Sequence, residues 1–137
     1  MNPNYTHTIT LYNRIRAADT QDRKEKWIRT VISGCFYKAQ VNTSLTTQAT
    51  VSNTYVALIP KNPRYLPYAE FIKKPAGCFT VSLDDIVVEG VCREEITGID
   101  GHTATQLLNR NKPNAFKITA FSDNTAFRVG KHYRLGG

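Results

Sequence analysis

Cysteine is scarce: Cys35, Cys78 and Cys92 are odd in number and share no CxxC spacing. A disulfide framework or a zinc site needs tighter clustering, so buried free thiols in a reducing compartment are expected. No apolar run approaches the length of a membrane span, and the reading is a soluble chain. The opening Met1-Asn2-Pro3-Asn4 lacks the basic-then-apolar pattern of a secretion signal. No Gly-Lys-Ser/Thr follows a strand as in a P-loop, and neither GxSxG nor HExxH occurs. His7, His102 and His132 stand apart, with no local Cys-His pair. Asp84-Asp85 and Glu94-Glu95 are paired carboxylates, but adjacent residues of extended chain point to opposite faces. Neither pair makes a catalytic dyad alone, and turn and cap roles are expected instead. The expectation is therefore no enzyme, no cofactor, no metal and no small-molecule substrate.

Positive charge is what the chain has in excess. The net charge is +7 over 137 residues and the pI is about 9.5, which favours polyanionic neighbours such as nucleic acid or an acidic protein ring. One basic cluster runs from Arg14 to Arg29, with Arg14, Arg16, Arg23, Lys24, Lys26 and Arg29 set against Asp19, Asp22 and Glu25. A second runs from Arg110 to Arg134, with Arg110, Lys112, Lys117, Arg128, Lys131 and Arg134 set against Asp123 alone. The second is the less compensated and the better candidate contact surface.

At 41% apolar residues the chain is expected to fold as one domain over residues 1–137. Phe79, Val81 and Leu83 alternate with Thr80 and Ser82; Asp84-Asp85 interrupts, and Ile86-Val87-Val88 follows, closed by Gly90. This predicts a core hairpin turning at the two aspartates. Tyr5, His7, Ile9 and Leu11 alternate with threonines and predict a half-buried strand, with His7 a core or edge residue rather than a ligand. Asn13 to Glu25 reads as a mobile loop. Trp27 to Tyr37 reads as a long strand bent at Ser33-Gly34, with Trp27 as a core anchor. Lys38 to Asn53, rich in Thr, Ser, Asn and Gln, reads as a long surface loop.

Tyr55 to Ile59 is a short strand stopped by Pro60. Lys61 to Pro75, with Pro63, Pro67 and Pro75, is extended irregular chain whose aromatics Tyr65, Tyr68 and Phe71 pack beneath it or face a partner. Thr103 and Gln106 form a capping box for a helix near residues 103–110, ended before Pro113. Phe116 to Ala120 and Phe127 to Leu135 are further strands, with a turn at Ser122-Asp123-Asn124 and a kink at Gly130. The sum is mainly β: a small antiparallel β-barrel of about six strands, with long loops and one short helix.

Several blocks, taken in order, resemble small proteins of unknown function from the structural-gene modules of tailed phages and prophages of Gram-positive bacteria. They are Thr10-Leu11-Tyr12-Asn13-Arg14, Trp27-Ile28-Arg29-Thr30-Val31, Gly34-Cys35-Phe36-Tyr37, Val56-Ala57-Leu58-Ile59-Pro60, Phe79-Thr80-Val81 through Asp85-Ile86-Val87-Val88-Glu89-Gly90, and Lys131-His132-Tyr133-Arg134-Leu135-Gly136-Gly137. More distantly the chain is similar to siphophage head-tail joining (head-closure) proteins, although His132-Tyr133 stands where a tryptophan is expected after the histidine. The resemblance implies a head-tail connector or closure subunit, a structural virion protein that contacts other head and tail proteins and copies of itself in a ring. It would reside in the host cytoplasm during assembly and then in the virion. The alternatives are a basic β-barrel that binds nucleic acid, or a tail-terminator or minor capsid protein. The residues expected to meet a partner are Arg14, Arg16, Arg23, Lys24, Tyr65, Tyr68, Phe71, Arg128, Lys131 and Arg134.

Overall fold

A computed structural model describes residues 6–20, 22–44, 50–74, 77–98, 101–111, 114–126 and 131–137. Seven strands are described: β1 (His7–Ile15), β2 (Lys26–Ser44), β3 (Thr50–Pro60), β4 (Ile86–Glu89), β5 (Ala115–Lys117), β6 (Ala120–Asp123) and β7 (His132–Gly136). Helix α1 (Tyr68–Phe71) is a single turn, and α2 (Ala104–Asn111) covers two turns. All strand pairs are antiparallel, in the order β5-β4-β1-β2-β3-β7-β6. The predicted barrel is present.

The two edge strands of that order are consecutive in the chain, separated by Ile118 and Thr119 alone. Two intervening residues span only about 10 Å, so the sheet must roll until its opposite edges meet at this segment. The backbone there serves both edges. Ile118 N donates to Asp85 O (2.8 Å) on the β4 side, and Thr119 N donates to Gly136 O (2.8 Å) on the β7 side. Ala120 also pairs with Gly136. Two residues thus oppose one, which is a β-bulge, and a bulge bends the strand round this corner.

Strand β2 makes the other corner. Its first half, to Cys35, pairs with β1, and from Phe36 onward it pairs with β3. The register with β1 shifts between His7 and Ile9, opposite Ser33-Gly34, and Gly34 has φ +71°. The bend expected there is a bulge whose left-handed residue is a glycine.

Alternation along β1 and β4 divides two apolar clusters. Ile9, Leu11 and Val87 face the barrel interior with Cys35, Tyr37, Ile59, Phe79, Phe116, Ile118 and Leu135. Tyr12, Ile86 and Val88 face outward into a second cluster with Cys92, Ile96, Ala115 and Leu107 of α2. Because 90–97 and α2 cover its outer face, β1 is buried on both sides from Ile9 to Asn13. Outward-facing Thr10 lies within this cover: its hydroxyl donates to Gly90 O (2.8 Å) and accepts from Cys92 N (2.8 Å).

Helix α2 follows its expected cap. Gln106 N donates to Thr103 Oγ1 (3.3 Å), and Gln106 Oε1 accepts from Gly101 N (2.6 Å) and Thr103 N (3.3 Å). Thr103→Ala is expected to destabilise the protein by about 1 kcal/mol. Urea unfolding checks this, and an unchanged midpoint would show that the cap is dispensable.

Several expectations need correction. Phe79 to Leu83 forms no strand beyond an isolated bridge between Tyr65 and Phe79, and β4 pairs with β1 and β5 rather than with this segment. Leu83 is 58% exposed, because the chain turns at Leu83-Asp84, where Asp84 has φ +76°. The long surface loop Lys38–Asn53 is instead mostly ladder: β2 and β3 pair without a break from Phe36–Leu58 to Ser44–Thr50. Only its tip, 45–49, lies outside the described residues. Asn13 to Ile15 belong to β1, and a 3-10 turn (Ala17–Asp19) follows.

Trp27 is half-buried against the second cluster rather than a core anchor, and its Nε1 donates to Glu25 (2.7 Å). Within Lys61–Pro75 the chain winds into α1, with Phe71 N donating to Pro67 O (2.9 Å). Ser122 and Asp123 lie in β6, and the last strand begins at His132; Tyr5, 127–129 and the Gly130 kink lie outside the described residues. His7 is half-buried and edge-on to Phe36, ring centroids 5.8 Å apart. All three cysteines are free; Cys35 and Cys92 are buried, and burial pushes the Cys35 thiol up to about 12.

Candidate functional site

Of the ten residues expected to meet a partner, three converge. Arg14, Arg16 and Tyr68 line one open cleft of about 300 Å³ with Ser82, Leu83, Asp84 and Asp85. Arg14 lies near the end of β1, and Arg16 follows the strand as the residue that leads into the 3-10 turn. The single turn of α1 delivers Tyr68.

Tyr68 fixes one arginine. Its hydroxyl donates to Asp19 Oδ2 (2.7 Å) and accepts from Arg16 N (3.0 Å). The Arg16 guanidinium lies 4.7 Å over the Tyr68 ring and its Nε contacts Asp19 at 3.1 Å. The bond from Tyr68 holds the Asp19 carboxyl below its usual value, and the Tyr68 contact holds the Arg16 guanidinium above its own. Arg14 meets Glu25 only loosely, at 3.9 Å.

The floor of the cleft is a buried polar knot. Asp85 is 0% exposed, and its carboxylate accepts from Arg14 N (3.0 Å), Asn13 Nδ2 (2.9 Å) and Ser82 N (2.9 Å). The side-chain amide of Asn13 in turn pairs with both backbone groups of Thr80, accepting from its N (3.2 Å) and donating to its O. One amide and one carboxylate thus do for 80–82 what a neighbouring strand would otherwise do, which is why this alternating segment stays extended without a ladder. Burial raises the Asp85 carboxyl to about 6 against the three hydrogen bonds, which act to lower it.

Of the other seven residues, the six that are described do not join this cleft. Phe71 is fully buried, and its expected partner role is corrected: it is a core side chain. Tyr65 stacks on Tyr133 (4.3 Å) and meets Phe79 edge-on (5.9 Å), closing one part of the barrel core. Arg23 and Lys24 are exposed between β1 and β2. Lys131 is exposed next to β7, and Arg134 lines a separate recess of about 230 Å³ with Phe121 and Gly136. Arg128 lies outside the described residues. The second basic cluster is also more compensated than its sequence indicates, since Arg110 pairs with Glu94 (3.2 Å) and Lys117 with Asp84 (3.6 Å) from remote segments.

Sequence reasoning missed Asn13, Ser82 and Asp85 as parts of this site. No periodicity points to them: Leu83, of the same phase as Phe79 and Val81, is already exposed, and the turn at Leu83-Asp84 separates Asp85 from that phase. Among the described residues, no three His, Cys, Asp or Glu side chains gather as a metal site, and no helix is long and apolar enough to cross a membrane.

A family model described as a family of unknown function, DUF6751, matches residues 4–137, nearly the whole chain. The chain belongs to this family. In DUF6751 terms the match takes in β1 through β7, and with them both corners of the barrel and the cleft. No curated protein and no solved structure matches the chain.

Proposed function

We propose that this protein is a structural component of a tailed phage or prophage particle, a head-tail connector or closure subunit that works by docking to other proteins. The observation that carries the reading is the β2–β3 arm. Strand β7 pairs with β3 only over Val56–Pro60, and β1 pairs with β2 only up to Cys35. Beyond these limits β2 and β3 pair with each other out to Ser44 and Thr50. From Ala39 to Ser44 the ribbon extends about 17 Å. A two-stranded ribbon is marginal alone in water, so such an arm fits a surface that it meets on assembly.

The ordered blocks described above supply the phage context, and the cleft of Arg14, Arg16 and Tyr68 supplies a second docking feature with a pre-set guanidinium. Catalysis is not part of this reading: the buried carboxylate at the cleft floor has its acceptors occupied by backbone and amide donors. The gene's neighbours test it most directly. Portal, capsid and tail genes alongside, and the protein in purified particles by mass spectrometry, are the expected results. A metabolic operon, or particles that lack the protein, would reject it.

A further inference from the structure

We infer that the β2–β3 arm is an adhesive edge for a second copy of the same chain, each arm adding as strands to the arm of its neighbour. Sheet edges left open in a soluble protein are ordinarily guarded by charge, proline or a bulge. This arm has none of the three. No residue between Lys38 and Lys61 is charged, in a chain of net charge +7, and the first proline is Pro60, at the base. The register runs unbroken from Phe36–Leu58 to Ser44–Thr50, so no bulge twists the edge away. Among the described residues, no third strand pairs with β2 over 41–44 or with β3 over 50–54. Both outer edges therefore present rows of backbone donors and acceptors.

The occupant follows from charge and from geometry. Two copies repel through most of their basic surface but not through a neutral ribbon. Arms held side by side and pointing the same way place the β2 edge of one copy against the β3 edge of the next, and the two run antiparallel, as within each arm. The contact is heterologous, so it repeats until a ring closes, and closure leaves no open edge. An acidic partner would instead select the basic clusters, which lie outside the arm.

This inference rests on the assembly reading above, but the two can fail separately. Sedimentation equilibrium of the full chain is expected to give a mass that rises with concentration above the 15.4 kDa monomer. A variant with 41–53 replaced by Asn-Gly, which joins the paired Gln40 and Thr54 directly, is expected to remain monomeric with a far-UV spectrum that keeps the β signature of the barrel, reduced by the strand residues removed. A charged edge in the full-length arm, Ser52→Lys, is expected to weaken association about tenfold or more. A full chain that stays monomeric up to about 1 mM, or a shortened variant that associates like the parent, would overturn the inference. Shortened protein incorporated normally into particles would also overturn it while leaving the virion reading intact. Absence of the parent protein from particles would reject the virion reading alone.

Discussion

Replacing Asp85 by alanine is expected to lower the unfolding free energy by about 3 kcal/mol at neutral pH, with a melting temperature reduced by roughly 10 °C or more. The carboxylate satisfies Arg14 N, Asn13 Nδ2 and Ser82 N in a site with no exposure. Alanine leaves all three donors buried without that acceptor, and it frees the 80–85 segment that Asn13 and Asp85 together hold against β1. Denaturant unfolding reads the loss. A change under 1 kcal/mol would mean that water replaces the carboxylate at little cost and that the knot does not organise this part of the barrel.

The same group makes stability depend on pH in an unusual direction for an aspartate. Its folded value is raised from 3.8 to about 6, chiefly by burial. Between those values the folded protein keeps a proton that the unfolded chain has released. The stabilisation that comes from keeping this proton is therefore complete below pH 4, declines as pH rises towards 6, and is gone above it, leaving the hydrogen bonds of the carboxylate. The span is on the order of 3 kcal/mol. Paired exposed carboxylates such as Asp19 and Asp22, held below their usual values, act the other way at lower pH. The clean comparison is Asp85→Asn, which is expected to flatten the pH 4–6 decline in unfolding free energy. A slope that survives this substitution would place its source elsewhere.

What the sequence disclosed and what it hid follow from which residues carry contrast. Ile9 and Leu11 against Thr10 alternate in polarity, and the strand they mark is real. Phe116 and Ile118 against Lys117 indicate a single strand over Phe116–Ala120, where the structure has two, β5 and β6, broken at Ile118-Thr119. The Thr103–Gln106 box reports a local interaction, and α2 begins where it indicates. The distal β2–β3 ladder was hard to read because its residues are neutral and mostly polar. Only Val41 and Val51 mark one phase, one in each strand, and so sparse an alternation does not stand out from a Thr/Ser/Asn/Gln-rich loop. The opposite failure occurred at Phe79–Leu83, where contrast was present but the partner was not a strand. Whether Thr80 bonds to a neighbouring backbone or to the amide of Asn13 is decided by a contact 67 residues away in the chain. The cleft was half legible for the same reason. Arg14 and Arg16 could be chosen by charge, and Tyr68 by its place in a proline-rich segment. Phe71, at the end of α1, is fully buried, a difference from Tyr68 that reading this segment as irregular chain could not show.

Phe116→Ala is expected to be the most damaging of the single substitutions, at about 3–5 kcal/mol. Phe116 is 2% exposed on β5, two residues before the bend that lets one segment serve both edges of the sheet. Its ring stacks on Tyr55 (5.3 Å between centroids) and tilts against Tyr37 (5.9 Å). It also lies so close to the C-terminal residue that a Cβ added to Gly137 would sit 2.5 Å from its Cδ2. Glycine is thus required there by close approach, and β5, β3 and the 137 backbone meet on this one ring. Losing the ring removes the apolar filling under the corner, so Ile118 and Thr119 amides are expected to lose hydrogen-exchange protection before β1 and β4 do. Tyr37 offers a control in the same cavity. Its buried hydroxyl has no hydrogen-bond partner among the described residues, so Tyr37→Phe is expected to be neutral or to stabilise by up to about 1 kcal/mol. Equal losses from both substitutions would show that the site responds to any change of ring, and that Phe116 does not specifically brace the closure of the barrel.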